Sequence, residues 1–172
     1  FVKESIQTTH HNPNYLTDVE FNPERLNIST NINEVVSNSD IIFLVVPSIY
    51  IENCLSKLTI SLKDKFVVTS IKGIIPNHYK AVGQYLIDEF SVKEEQLGVV
   101  SGPCHAEEVA LERLSYLTIA ALDEYKATVV ADCLSCNFIN TKISNDIIGT
   151  EYGAILKNIY AVAAGIAHGL GY

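Results

Sequence analysis

The sequence contains no methionine and no tryptophan among its 172 residues and opens on Phe1, so a piece of a longer protein is expected. Basic residues are scarce: 12 Lys and Arg stand against 20 Asp and Glu, a formal net charge of -8. Neutralising a phosphate backbone needs clustered cations, which excludes a nucleic-acid surface while leaving room for a basic subsite for one small anion. No apolar run reaches membrane-spanning length, so no membrane insertion is expected. No secretory leader is visible. The four cysteines are too few and too scattered for a disulfide framework, which predicts a reduced, cytoplasmic protein. Cys133 and Cys136 form a C-x-x-C, but no second ligand pair lies near them, and no metal site is expected.

What the chain has is enough apolar content for one good core, 48% of its residues. The opening stretch to Arg25 is polar and turn-rich, with Asn12-Pro13 and Asn22-Pro23, and predicts mainly loop. Leu26–Ser29 predicts a short strand, and Asn31–Asn38 a short helix capped by Thr30 or Asn31. Asp40–Val46 is a continuous apolar run closed by Pro47, the pattern of a central parallel strand covered on both faces. A helix over Ile49–Lys57, a strand over Lys65–Ile71, a helix over His78–Phe90 and a strand over Leu97–Ser101 follow. This alternation is the signature of a doubly wound α/β sheet. Further on, Pro103 occupies the expected first position of a helix, Tyr116–Ala121 and Phe138–Lys142 predict strands, and Asp123 caps a helix between them.

Ligands of an open parallel sheet bind beyond the carboxyl ends of its strands, where three informative loops fall. Pro47-Ser48 allows a close backbone approach to a nucleotide, although proline after a strand is also an ordinary stop signal. Lys72-Gly73 puts a cation at the sheet edge, and as an isolated dipeptide it also fits a plain turn. Gly102-Pro103-Cys104-His105-Ala106 opens a helix whose free N–H groups suit a polar oxygen. Adjacent Cys104 and His105 do not make a nucleophile and base, since no orienting partner is identifiable.

The last stretch, Asn145–Tyr172, predicts a long helix capped by Asn145 or Asp146 and ended by Gly169-Leu170-Gly171. Lys157 stands in its interior among Gly153, Ala154, Tyr160, Ala161 and Ala164 at helical spacing. Small residues around a lone cation leave room for a ligand; the competing reading is a helix lysine that snorkels to solvent. A lysine facing the strand ends across a cleft suits carbonyl reduction, where a group must protonate the developing alkoxide.

The motifs V-V-P-S, S-I-K-G-I, S-G-P-C-H-A-E-E-V and N-D-I-I-G-T-E-Y-G-A-I-L-K-N-I-Y-A-V-A-A-G-I-A-H-G-L, with Asn-Pro-Asn-Tyr-Leu near the start, together resemble the bacterial-type NAD(P)-dependent glycerol-3-phosphate dehydrogenases. The resemblance implies a Rossmann-type dinucleotide-binding domain, its N-terminal part missing, over residues 1–145, and the first helix of an all-α substrate domain over 146–172. It implies reduction of dihydroxyacetone phosphate to sn-glycerol 3-phosphate with NADPH or NADH, for glycerophospholipid synthesis. By similarity Lys157 is the catalytic acid/base and also meets substrate, Lys72 contacts cofactor and substrate, Gly102 and Cys104 line the substrate, and Ala106 and Pro47 line the cofactor. The family usually has serine where this chain has Cys104, so that contact is through the thiol or through the backbone. The resemblance is compatible with a homodimer. The glycine-rich fingerprint and the substrate-phosphate arginine and asparagine of the family are absent, so the chain by itself is expected to be inactive. Two alternatives stay open: a related 3-hydroxyacid or ketopantoate-type reductase, and a non-catalytic module that binds dinucleotide to sense redox state.

Overall fold

The computed structural model describes residues 1–172. Its first element corrects the loop expected before Arg25, because Val2–Thr9 forms a helix, α1. Those eight residues hold neither glycine nor proline, and the turn-forming Asn12-Pro13 lies beyond them. His10 ends the helix with a positive φ of 61°, its N–H returning to the Ile6 carbonyl. Leu26–Ser29, expected as a strand, finds no ladder partner and stays irregular. Helix α2 (Ile32–Ser37) begins as expected on Asn31, whose side chain accepts from the Asn33 N–H at 3.0 Å.

Then come β1 (Ile41–Leu44), α3 (Ser48–Leu55), β2 (Phe66–Thr69), the two-residue strands β3 (Ile74–Ile75) and β4 (Lys80–Ala81), α4 (Val82–Phe90) and β5 (Leu97–Ser101). The helix expected from His78 starts four residues late, because β3 and β4 pair as a small hairpin and Tyr79 turns the chain at φ 53°. The C-terminal half adds α5 (Ala106–Ala110), β6 (Ser115–Ala121), α6 (Glu124–Leu134), β7 (Ile139–Ser144) and α7 (Ile147–Gly169). Asp123 caps α6 and Asp146 caps α7, as their positions predicted. Pro103 is not the first helical residue: α5 starts at Ala106, with His105 at its N-cap.

The main sheet has the order β1-β2-β5-β6-β7. β1, β2 and β5 are parallel, as are β6 and β7, but β5 and β6 run antiparallel. The connection into β6 holds only the five-residue α5, whereas the connection into β7 holds the eleven-residue α6. Within these 172 residues β1 lies at one edge of the sheet, with Ile42 and Leu44 buried and Phe43 40% exposed.

Helices cover the sheet on both faces. One core joins Ile51 and Leu55 of α3, Val82 and Leu86 of α4 and Ile147 of α7 to Val67 and Val99 of the sheet. The other joins Ala127, Val130 and Ala131 of α6 to Val68, Val100 and Ile119. Alternate residues of one strand therefore serve opposite cores. Each fully buried aliphatic side chain contributes about 1.5–3 kcal/mol, so the paired layers dominate what holds the strand ends in place.

Candidate active site

Because β1, β2 and β5 are parallel, their carboxyl ends and the loops that follow lie along one edge of the sheet. Pro47 is exposed at the N-cap of α3. Lys72 is presented by a short anchored turn: buried Thr69 accepts the Ile71 N–H on its hydroxyl at 3.2 Å, and Ile71 is itself buried. The next residue, Lys72, is exposed. Gly73 abuts the neighbouring loop, where a Cβ would stand 3.1 Å from the Cβ of Ser48.

After β5 the chain passes Gly102 against the backbone of β6. A Cβ on Gly102 would collide with the Tyr116 carbonyl oxygen and stand 3.0 Å from its carbon and 3.1 Å from the Leu117 Cα. Only glycine permits that approach. Cys104 is half-buried in the loop, and Ala106 is exposed at the start of α5. The five-residue α5 carries Glu107 and Glu108 in its first turn, so this helix end does not provide the anion cradle that its sequence suggested.

Helix α7 starts on the sheet and leaves it. Its buried residues are Ile147, Glu151 and Ala154, spaced four and three apart on one stripe. Beside that stripe, Gly149, Gly153 and Lys157 line an open cleft of about 410 Å³, whose facing wall comes from Gly102, Pro103 and His105. The structure thus brings Lys157 and Gly102 together. Lys72, Pro47, Cys104 and Ala106 share the strand-end edge but do not line this cleft.

Lys157 takes no part in the ion pairs of the chain, which join Lys80, Lys126, His78 and the terminal amine to carboxylates. It is exposed, so these residues do not supply the desolvation expected of it. The cleft can receive a small polar molecule between the Lys157 ammonium and the loop that follows β5.

One residue of the region escaped the sequence reading. Glu151 is 5% exposed, and its carboxylate accepts the Gly83 N–H, in the first turn of α4, at 2.9 Å. Burial pushes its pKa above the ordinary carboxylate value, while the Gly83 and Val82 N–H groups pull it back. Its signal was an acidic residue on the apolar stripe of a helix.

Residues 2–127 match the family model described as the N-terminus of NAD-dependent glycerol-3-phosphate dehydrogenase, and residues 146–172 match the one described as its C-terminus. The glycerol-3-phosphate dehydrogenase [NAD(P)+] of an Exiguobacterium species is 36% identical over 171 residues, 98% of this chain and 50% of that protein. That of Oceanobacillus iheyensis is 37% identical over 170 residues, 98% of this chain and 49% of that one. The chain spans about half the length of the curated relatives it matches. Among solved structures, Plasmodium falciparum glycerol-3-phosphate dehydrogenase superimposes with a TM-score of 0.87 at 25% identity, covering 98% of this chain and 47% of that one. The fold is also that of the Coxiella burnetii enzyme, with a TM-score of 0.82 at 24% identity and coverages of 98% and 51%.

Proposed function

Because the chain belongs to the NAD-dependent glycerol-3-phosphate dehydrogenase family, we propose that it carries the strand-end edge and the proton-transferring lysine of an enzyme that reduces dihydroxyacetone phosphate to sn-glycerol 3-phosphate. The observation that carries this reading is the cleft that Lys157 and Gly102 line together. Residues 1–145 form the dinucleotide side and residues 146–172 open the substrate side. In support, every residue of α7 beyond Ala154 is unburied within this chain.

The strand-end loops fit a nicotinamide dinucleotide, NADPH or NADH. Pro47 and Ala106 carry no charge and are exposed at the edge, and Gly102 lets the loop after β5 pack against the backbone of β6. When bound, the reduced nicotinamide supplies a hydride to the ketone carbon. Lys157 gives its Nζ proton to the oxygen as negative charge develops there, and takes it back in the reverse direction. Lys72 offers a cation at the neighbouring strand end, where it orients anionic groups of cofactor and substrate. Gly102 and Cys104 shape the wall against the substrate; Cys104 acts through its backbone, because a thiol is a poor hydrogen-bonding group. The ammonium is open to water here, so the remaining half of the fold and the bound ligands complete its desolvation. We place the protein in the cytoplasm as a homodimer serving glycerophospholipid synthesis, with no nucleic-acid partner, as its formal charge of -8 favours. No helix is long and apolar enough to cross a membrane.

The test uses the full-length protein. Cofactor oxidation with dihydroxyacetone phosphate is followed with NADPH and with NADH, and cofactor affinity is titrated separately by fluorescence. Lys157→Ala is expected to lower turnover by about 10²–10⁴-fold with cofactor affinity unchanged. Turnover within a few fold of the parent would remove Lys157 from the chemistry. A panel with 3-hydroxyacids and ketopantoate separates the proposed substrate from those of related reductases.

A further inference from the structure

Three polar side chains of the chain are buried: Thr69, Ser115 and Glu151. The first two bond to backbone two residues away, Thr69 to Ile71 and Ser115 to Arg113. Glu151 alone reaches across the fold, to an N–H 68 residues distant in sequence. The site is shaped for its carboxylate. A Cβ on Gly83 would stand 3.0 Å from Oε2 of Glu151 and 2.9 Å from Cδ2 of Leu97, so the glycine lets the carboxylate approach the first-turn N–H groups of α4 without displacing either side-chain tip.

Helix α7 is held on the domain through few buried positions. Ile147 and Ala154 flank Glu151 on the buried stripe, and no residue after Ala154 is buried. Apolar contacts resist removal from the surface but define register poorly, since they have no direction. A hydrogen bond to a fixed backbone donor has both length and direction. A carboxylate also costs desolvation that an apolar residue would avoid, and the best-attested return for a buried charge is a fixed register.

Resting on the reading of Lys157 given above, we infer that Glu151 is a positioning residue: by accepting the Gly83 N–H it sets the register of α7 over the sheet, and so the place of the Lys157 ammonium in the cleft. Lys157 lies six residues on, about 9 Å along the helix axis. A slip of one residue would carry it ~1.5 Å along the axis and turn it by ~100°, away from Gly102. Misplacement of a reacting group by about 1 Å can cost ~10²-fold in rate.

Two conservative variants of the full-length protein separate reach from charge. Glu151→Gln keeps an oxygen at the distance needed to accept from Gly83. Glu151→Asp keeps the charge but is one methylene too short. Turnover is measured per cofactor-binding site, so that loss of folded protein does not count. Glu151→Asp is expected to lower kcat by about 10–100-fold with the KM for cofactor unchanged, while Glu151→Gln stays within about five-fold of the parent. Placed on Lys157→Ala, Glu151→Asp is expected to lower the residual rate no further, since the two act through one group. The inference is overturned if Glu151→Asp turns over like the parent, if Glu151→Gln is as impaired as Glu151→Asp, or if the Asp effect multiplies in full on Lys157→Ala. Amide hydrogen exchange at Gly83 reads the same bond without turnover. Protection in the parent and Glu151→Gln that disappears in Glu151→Asp supports the clamp, and equal protection in all three overturns it. A parent that binds cofactor but does not reduce dihydroxyacetone phosphate would refute the proposed substrate, leaving the exchange measurement to decide on Glu151.

Discussion

Adding one methyl group at residue 102 should damage stability and the cleft together. In Gly102→Ala the new Cβ meets the Tyr116 carbonyl group and stands 3.1 Å from the Leu117 Cα. All of these are backbone atoms of β6, paired to β5 through Ser101 and Thr118 and to β7 through Tyr116 and Asn140. They cannot rotate away as a side-chain tip can, so the end of β5 must move from β6. Overpacking of this kind costs about 1–3 kcal/mol, toward the upper end where backbone is involved. Loss of a ladder hydrogen bond adds about 1 kcal/mol. Because the curated relatives are about twice the length of this chain and unfolding entropy scales with length, a total of about 3–4 kcal/mol corresponds to a fall in Tm of roughly 4–6 °C in the full-length protein. The assay is calorimetry on the full-length variant beside the parent. Since Gly102 and Pro103 form the wall facing Lys157, Gly102→Ala should also raise the KM for dihydroxyacetone phosphate. A Tm within about 2 °C of the parent, with unchanged KM, would refute the claim that residue 102 is held against β6.

Asp146→Ala removes the side chain that accepts the Gly149 N–H at 2.7 Å, and should cost about 1 kcal/mol, lowering Tm of the full-length protein by about 1–2 °C. The pKa of Glu151 is raised by burial, so the native state holds its proton more tightly than the unfolded chain. Stability of the parent should therefore decline as pH rises past the ordinary value of 4.5 toward the native pKa. Across that window the Tm of Glu151→Gln should gain on the parent; a constant or shrinking difference speaks against a destabilised buried carboxylate. Asp123 has the opposite sign: the Lys126 backbone N–H holds its pKa below the ordinary 3.8, so its contribution is present above that value and fades as pH falls through the native pKa. Tm measured against pH for the parent and Asp123→Asn should converge at the acid end.

Much of the fold was legible because each signal was local. Apolar runs closed by turn residues marked β2 and β5, and Asn31, Asp123 and Asp146 sat at the one position where their side chains can accept an N2 or N3 amide. What failed depended on neighbours. The run Asp40–Val46 looks the same at the centre or the edge of a sheet, and only the pairing shows Phe43 half open to solvent within these 172 residues. Pro103 suggested a helix starting there, but α5 is only Ala106–Ala110, and the antiparallel pairing of β6 with β5 carries no local signal. Val2–Thr9 is helical despite an unremarkable polar sequence, because nothing in it opposes a helix.

The site divides the same way. Gly102 and Lys157 come from stretches with conspicuous composition, a Gly-Pro after a strand and one cation among small residues, and the structure sets them across one cleft. Glu151 has no such surroundings. Read along the chain it is one more acidic residue in a helix. Its stripe does: Ile147 and Ala154, at i−4 and i+3, are buried, so a charge between them needs a partner from elsewhere. The partner is a backbone N–H exposed by a glycine, and a backbone donor carries no side-chain signature at all. Sequence motifs thus point to the groups proposed to meet a ligand, while the group proposed to hold one of them in place was announced only by a polar residue where an apolar one was due.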